Sequence, residues 1–160
     1  MTTPRLVYGF HETDRAEIER LLREYETQLG VSLCFQAFDD ELAGLPGAYV
    51  PPLGHFLTAW DEASGDLLAC VALKPDQSRE RTCEMKRLYV RPNARGTGLG
   101  RKLAQEITEL ARRIGYQRMV LDTLPWLANA QALYVSMGFR QTGVSGGSPQ
   151  VFLFERNLSA

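Results

Sequence analysis

Apolar residues along this chain alternate between two periods, and each change of period marks an element. Leu99, Leu103, Ile107, Leu110 and Ile114 follow one another at spacings of four, four, three and four, the stripe of a helix with one face packed on a sheet. Ile18, Leu21, Leu22, Tyr25 and Leu29 form a second helical stripe, with Thr13 as its N-cap and Gly30 as its stop. Shorter helices are expected over residues 38–43 and from about Ala128 to Met137, the latter closed by Gly138. Apolar runs at residues 5–10, 55–61, 66–74, 82–90, 116–122 and 150–156 read as strands, and Glu62-Ala63-Ser64-Gly65 as a hairpin turn. Residues 44–52 hold too much Gly and Pro for regular structure. The order β, two helices, β-β-β, α, β, α, β predicts a mixed α/β sheet flanked by helices. All 160 residues are expected to form a single domain.

The turn between the strand at 82–90 and the long helix carries an unusual charge. Arg95, Arg101 and Lys102 crowd the positive end of the helix dipole, and the first turn holds no Asp or Glu. A bound anion removes that conflict, and Gly96, Gly98 and Gly100 let the backbone approach it. A tight turn with solvated arginines is the other reading of the same residues. The run is not a P-loop, because Arg101-Lys102-Leu103 follows its last glycine. Its Gly-x-Gly-x-Gly spacing also departs from the dinucleotide fingerprint, although Asp122 stands about where a ribose-binding acid would.

Composition narrows the classes. A hydrophobic fraction of 44% and a charged fraction of 23% fit a globular chain, and a formal net charge of −1 gives no basic field for nucleic acid. The three cysteines form no C-x-x-C, and two histidines far apart in sequence do not suggest a metal site. The absence of an apolar signal region or membrane-length run leads to the expectation of a cytoplasmic protein without membrane contact.

Arg95-Gly96-Thr97-Gly98-Leu99-Gly100 resembles the Arg/Gln-x-x-Gly-x-Gly/Ala pattern of the GNAT family of acetyl-CoA-dependent N-acetyltransferases. Ala130-Gln131-Ala132-Leu133-Tyr134-Val135-Ser136-Met137-Gly138-Phe139 is similar to that family's Ala-x-x-Leu-Tyr-x-x-x-Gly-Phe segment. The two motifs keep the family's order and together cover about residues 82 to 142. The resemblance implies a GNAT-type sheet and acetyl-CoA as co-substrate, with no metal. It also implies that the backbone of Leu88, Tyr89 and Val90 pairs with the amide-bearing arm, Leu88 N–H polarising the thioester carbonyl. Backbone donors from Arg95, Gly96, Thr97, Gly98, Leu99 and Gly100, with Arg101, are then expected to hold the pyrophosphate. Where the family often has a cofactor-contacting Asn, this chain has Leu127; Asn129, two residues on, is a candidate for that contact, and whether it replaces the missing Asn is open at this point.

Acetyl transfer to an amine needs a neutral nitrogen, a donor for the developing oxyanion and a proton for the leaving thiolate. The resemblance offers Glu84 as the base and Tyr134 as the group beside the sulfur. Structural alternatives are an ion pair from Glu84 to Lys86 or Arg87, and core packing for Tyr134. Cys83 has no histidine or other evident base near it in sequence to make it a nucleophile. Leu45 and Tyr49 are candidates for the acceptor site, as are Lys86 and Arg87 for an acidic group on the acceptor. The expected activity is direct transfer to a primary amine on a small molecule or peptide. The alternatives are an acyl-CoA-binding or sensing module without turnover and a nucleotide-binding module. Many GNAT relatives dimerise, which leaves a homodimer open.

Overall fold

The computed structural model describes residues 3–33 and 37–159. In chain order the elements are β1 (Arg5–Tyr8), α1 (Arg15–Leu29), α2 (Phe38–Ala43), β2 (His55–Trp60), β3 (Leu67–Pro75), β4 (Thr82–Val90), α3 (Leu99–Ile114), β5 (Arg118–Thr123), α4 (Ala128–Ser136), β6 (Arg140–Ser145) and β7 (Val151–Asn157). The seven strands form one sheet in the order β1-β2-β3-β4-β5-β7-β6, antiparallel except for the β4–β5 pair. Among the described residues, no helix is long and apolar enough to cross a membrane.

Two apolar layers sandwich the sheet. Leu103, Ile107 and Ala111 of α3 pack with Val71, Cys83, Met85 and Met119 on one face. Ile18, Leu21 and Leu22 of α1 pack with Phe38, Phe56, Cys70 and Tyr89 on the other. Burying a side chain such as Leu103 or Ile107 stabilises the fold by about 1.5–3 kcal/mol, so the stripe spacing alone fixes how α3 lies on the sheet.

Two expectations need correction. Thr13 is not a helix cap: it lies inside a 3-10 turn (Glu12–Asp14), and Asp14 takes the cap position of α1 without a side-chain bond. The 3-10 turn delays the first α-helical turn, and Glu12 pairs instead with Arg15 at 2.7 Å. The last strand is also not the end of the sheet. Beyond β7 lies β6, an edge strand whose Arg-Gln-Thr-Gly-Val-Ser sequence has no apolar alternation because little of it is buried.

The centre of the sheet departs from a regular ladder. β4 pairs with β5 only over Thr82–Arg118, Cys83–Met119 and Glu84–Val120, and then the two strands part. On its other edge β4 carries a bulge, since Tyr89 faces Cys70 but Lys86 faces Ala72. Arg87 sits in that bulge with φ of 61°, an uncommon conformation for a residue with a side chain. Its guanidinium donates to both oxygens of Glu41 on α2, at 2.9 and 2.8 Å, and lies 4.9 Å from the Phe38 ring centroid. Burial works against the guanidinium charge, but Glu41 outweighs it and holds the Arg87 pKa above its ordinary value.

Breaking this pair leaves a buried charge uncompensated, at a cost of about 3 kcal/mol. For a chain of this size, Glu41→Gln is therefore expected to lower Tm by roughly 6–12 °C. Thermal melts of the two proteins check this, and an unchanged Tm would show the pair to contribute nothing.

Candidate active site

The turn before α3 is built to leave backbone donors open. Gly98 is the N-cap at φ of 83°, and the first helical bond runs from Lys102 N–H to the Gly98 carbonyl at 3.0 Å. Gly96 is also left-handed, at φ of 77°, and an added Cβ at either glycine would meet no atom within 4 Å. The glycines therefore serve backbone conformation rather than internal clearance. The turn is braced from below. Arg95 Nε donates to the Val90 carbonyl at 2.9 Å, Thr97 Oγ1 donates to the Ala94 carbonyl at 2.7 Å, and Leu99 is buried. Among the described residues, no group accepts a hydrogen bond from the backbone N–H of residues 96–101. These donors stand at the positive end of a helix that carries no acid in its first turn, a ready site for an anion. Arg101 Nη2 reaches Ser136 Oγ at 2.9 Å and ties this end of α3 to α4.

Where β4 and β5 part, a cleft opens. Residues 85–88 of β4 form one wall and Asp122, Thr123 and Leu124 the other. Ala130 and Tyr134 of α4 contribute to it, as do Tyr25, Leu29 and Leu33 from the α1 side. The Tyr134 ring is fixed by Phe139 and Phe154, with centroids at 5.9 and 6.3 Å. Its hydroxyl bonds to no described group. Burial first, then Tyr25 and Asp122, push the Tyr134 pKa up, so the phenol keeps its proton at neutral pH. Burial also raises Tyr25, against the opposing effect of Arg87.

Among the positions singled out in the sequence, Lys86, Arg87, Leu88 and Tyr134 line this cleft. Arg87 is only 4% exposed and its guanidinium is bound to Glu41, so its visible role is structural rather than acceptor contact. Glu84 is not among the lining residues; its carboxylate lies 3.8 Å from Lys74 Nζ and 3.5 Å from Lys86 Nζ. Tyr89 does not line the cleft; it is buried in the α1-side layer with its ring 5.5 Å from that of Tyr25, and its hydroxyl donates to Glu24 at 3.0 Å. Burial and then Glu24 push its phenol up to about 12. Leu45 and Tyr49 are buried in the α1-side core and, with Asp40, Glu41 and Lys74, line a depression separate from this cleft. Asn129 is exposed on the first turn of α4, whereas Leu127 lines the cleft. Cys83 is fully buried and its thiol is pushed up to about 12 by burial, which is opposite to what a nucleophile needs. Tyr25 carries no chemical signal in the sequence, because its place in the α1 stripe accounts for it fully. Asp122 stands out there only by its spacing from the glycine turn.

The Acetyltransferase (GNAT) family model matches residues 15–139. An uncharacterized N-acetyltransferase of Schizosaccharomyces pombe is 46% identical over 129 residues, covering 81% of this chain and 78% of the relative. An IAA acetyltransferase of Azospirillum brasilense is 32% identical over 129 residues, covering 81% and 80%. Among solved structures, a GNAT-family acetyltransferase from Staphylococcus aureus matches with a TM-score of 0.82 at 15% identity, over 97% of this chain and 100% of that one. An acetyltransferase from Salmonella typhimurium, solved with its cofactor acetyl-CoA, matches with a TM-score of 0.77 at 20% identity, over 99% and 96%. The structural likenesses carry the fold, and the family match and the S. pombe relative carry the rest: the chain belongs to the GNAT family of acetyltransferases.

Proposed function

We propose that the protein transfers the acetyl group of acetyl-CoA to a primary amine by direct attack within a ternary complex. One observation carries this reading: the backbone donors at residues 96–101 are open, and past Glu84 the strand leading to them, β4, leaves β5 and borders a cleft that Tyr134 lines. Those donors, with Arg101, suit a pyrophosphate. The stretch Leu88, Tyr89 and Val90, which lacks a β5 partner and has its Val90 carbonyl taken by Arg95 Nε, suits an extended arm carrying amides, which pairs with it as a strand would. When bound there, acetyl-CoA supplies a thioester with an electrophilic carbonyl carbon.

Each residue then has a limited task. The Leu88 N–H, next to the bulge, polarises the thioester oxygen. Tyr134 directs its hydroxyl at the sulfur and donates a hydrogen bond as negative charge gathers there. A free phenol titrates at about 10 and a thiol at about 8.5, so complete transfer from Tyr134 to a thiolate runs uphill, and burial steepens the slope. The transfer therefore has to be coupled to a proton arriving at Tyr134 from the acylated nitrogen, which becomes strongly acidic as the C–N bond forms. Glu84, held between Lys74 and Lys86, is read as their counter-ion.

Thiol release from acetyl-CoA, measured with a panel of primary amines, tests the activity, and thermal shift tests the site. At 100 times its dissociation constant, acetyl-CoA is expected to stabilise the fold by about 2.7 kcal/mol. Stabilisation without thiol release for any amine would replace the enzyme with a binding module. Gly98→Val should weaken acetyl-CoA binding by at least about 10-fold in calorimetry, because a β-branched residue resists φ near 83° at a cost of about 1–2 kcal/mol and displaces the open donors. Unchanged affinity would reduce the turn to a connection. Tyr134→Phe should lower kcat by roughly 10²-fold while leaving Tm near that of the parent, since the lost hydroxyl has no bond to a described residue. A variant with full kcat would show the tyrosine to be packing alone.

A further inference from the structure

The cleft holds one charge that Leu88 and Tyr134 leave unused. Met119 and Leu121 of β5 face the α3 side, so the alternation of the strand turns Asp122 toward the opposite face, where it lines the cleft wall. Had the parallel register from Glu84–Val120 run two residues further, Asp122 would stand beside Lys86. The strands part before that point, and no ion pair joins the two.

The other cleft-lining charges have carboxylates of their own: Arg87 is bound to Glu41, and Lys86 lies 3.5 Å from Glu84. The Asp122 carboxylate makes no hydrogen bond or ion pair with any described residue, although the residue is half-buried. A carboxylate placed this way is costly to desolvate unless a cation meets it. Tyr25 on α1 and Tyr134 on α4 both sense its field. The acid therefore shares the cleft with the hydroxyl assigned to the departing sulfur. Among the described lining residues, Leu29, Leu33, Leu124, Leu127 and Val151 add aliphatic surface beside Thr123 and the Tyr25 ring.

We propose that Asp122 is the acceptor-side residue of the reaction, its carboxylate receiving the ammonium group of a primary amine carried on an uncharged, apolar chain. This rests on the acetyltransferase reading of the cleft. The ammonium gives one proton to the Asp122 carboxylate, which later releases it to water. The freed nitrogen lone pair forms the C–N bond with the thioester carbon. The C–S bond breaks with its electron pair going to sulfur, which takes the Tyr134 proton, and the nitrogen returns its second proton to Tyr134. One amide, one thiol and one released proton result, and the charges balance.

The test uses the full-length protein, with 2-phenylethylamine and hexylamine as acceptors and 2-phenylethanol and hexanol as their uncharged analogues. The parent protein is expected to acetylate the amines and, with CoA bound, to bind each amine more tightly than its alcohol. Losing a charge-assisted hydrogen bond in Asp122→Asn should raise the amine KM by roughly 10–100-fold and erase the preference for amine over alcohol. Loss of the proton acceptor should also lower kcat by about 10²-fold, with acetyl-CoA affinity and Tm unchanged. Asp122→Ser, which has no protein bond to lose either, repeats the test if the Asn variant melts early. Unchanged amine kinetics in a folded variant, or a loss of Tm in both variants with the amine preference intact, would overturn the assignment. Acetylation confined to anionic or polycationic amines would overturn the apolar acceptor class. No thiol release with any amine would overturn the acetyltransferase reading itself, and this assignment with it.

Discussion

The parting of β4 from β5 is the constraint on which the rest of the site depends. Neighbouring parallel strands ordinarily bond along their shared length, because a backbone N–H or carbonyl left without a partner inside a protein is costly. Here the ladder stops after Glu84 and Val120, yet β4 runs on to Val90. Something has to hold β4 away from its neighbour. The bulge at Arg87 does so by inserting one residue against β3 and bending the strand. A side chain at φ of 61° is not self-supporting, at a typical cost of about 1–3 kcal/mol, and the two bonds to Glu41 together with the Phe38 ring offset that cost. The short helix α2 thus acts at a distance: by fixing Glu41, it keeps the cleft open.

A similar logic governs the start of α3. α3 could have begun with an acidic residue accepting its first N–H groups, as soluble helices commonly do. It begins instead with Gly98 in a left-handed conformation, and Arg112 and Arg113 sit in its last turn, where cations suit the dipole. The cations near its start, Arg95 and Arg101, are tied to Val90 and Ser136. They brace the turn and leave its backbone donors open.

The sequence displays what periodicity and turn chemistry control and conceals what tertiary packing controls. The stripe from Leu99 to Ile114 and the glycines around it locate α3 and its donors, because helical spacing and positive φ are local properties. β6 leaves no signal because an exposed edge strand needs no alternation, and Thr13 resembles a cap because a 3-10 turn leaves no mark in the residue pattern. Leu45 and Tyr49 lie in a loop rich in Gly and Pro, and only the packing shows their side chains turned into the core. Arg87 is the clearest case. A cation in a central strand is compatible with a ligand contact or with an ion pair, and the choice is made by Glu41, 46 residues away in sequence. Asp122 is visible in the sequence for the wrong reason, through its distance from the glycine turn, whereas its significance comes from facing a gap that no local pattern records.

The distribution of charge in the cleft bears on selectivity. A strand presenting Glu84, Lys86 and Arg87 in close succession could have made a strongly polar site, but each cation is met by an acid of the fold, Glu84 for Lys86 and Glu41 for Arg87. Neutralised pairs attract an incoming ion far less than an isolated charge does, because the two fields largely cancel within a few ångströms. The charge left to act on a ligand is the one opposite, at Asp122, and its partners across the cleft are two phenols that burial keeps protonated. A cleft of that kind discriminates by the sign of a single charge and by the apolar fit of the chain attached to it. The ion pairs of β4 thus shape specificity by being silent.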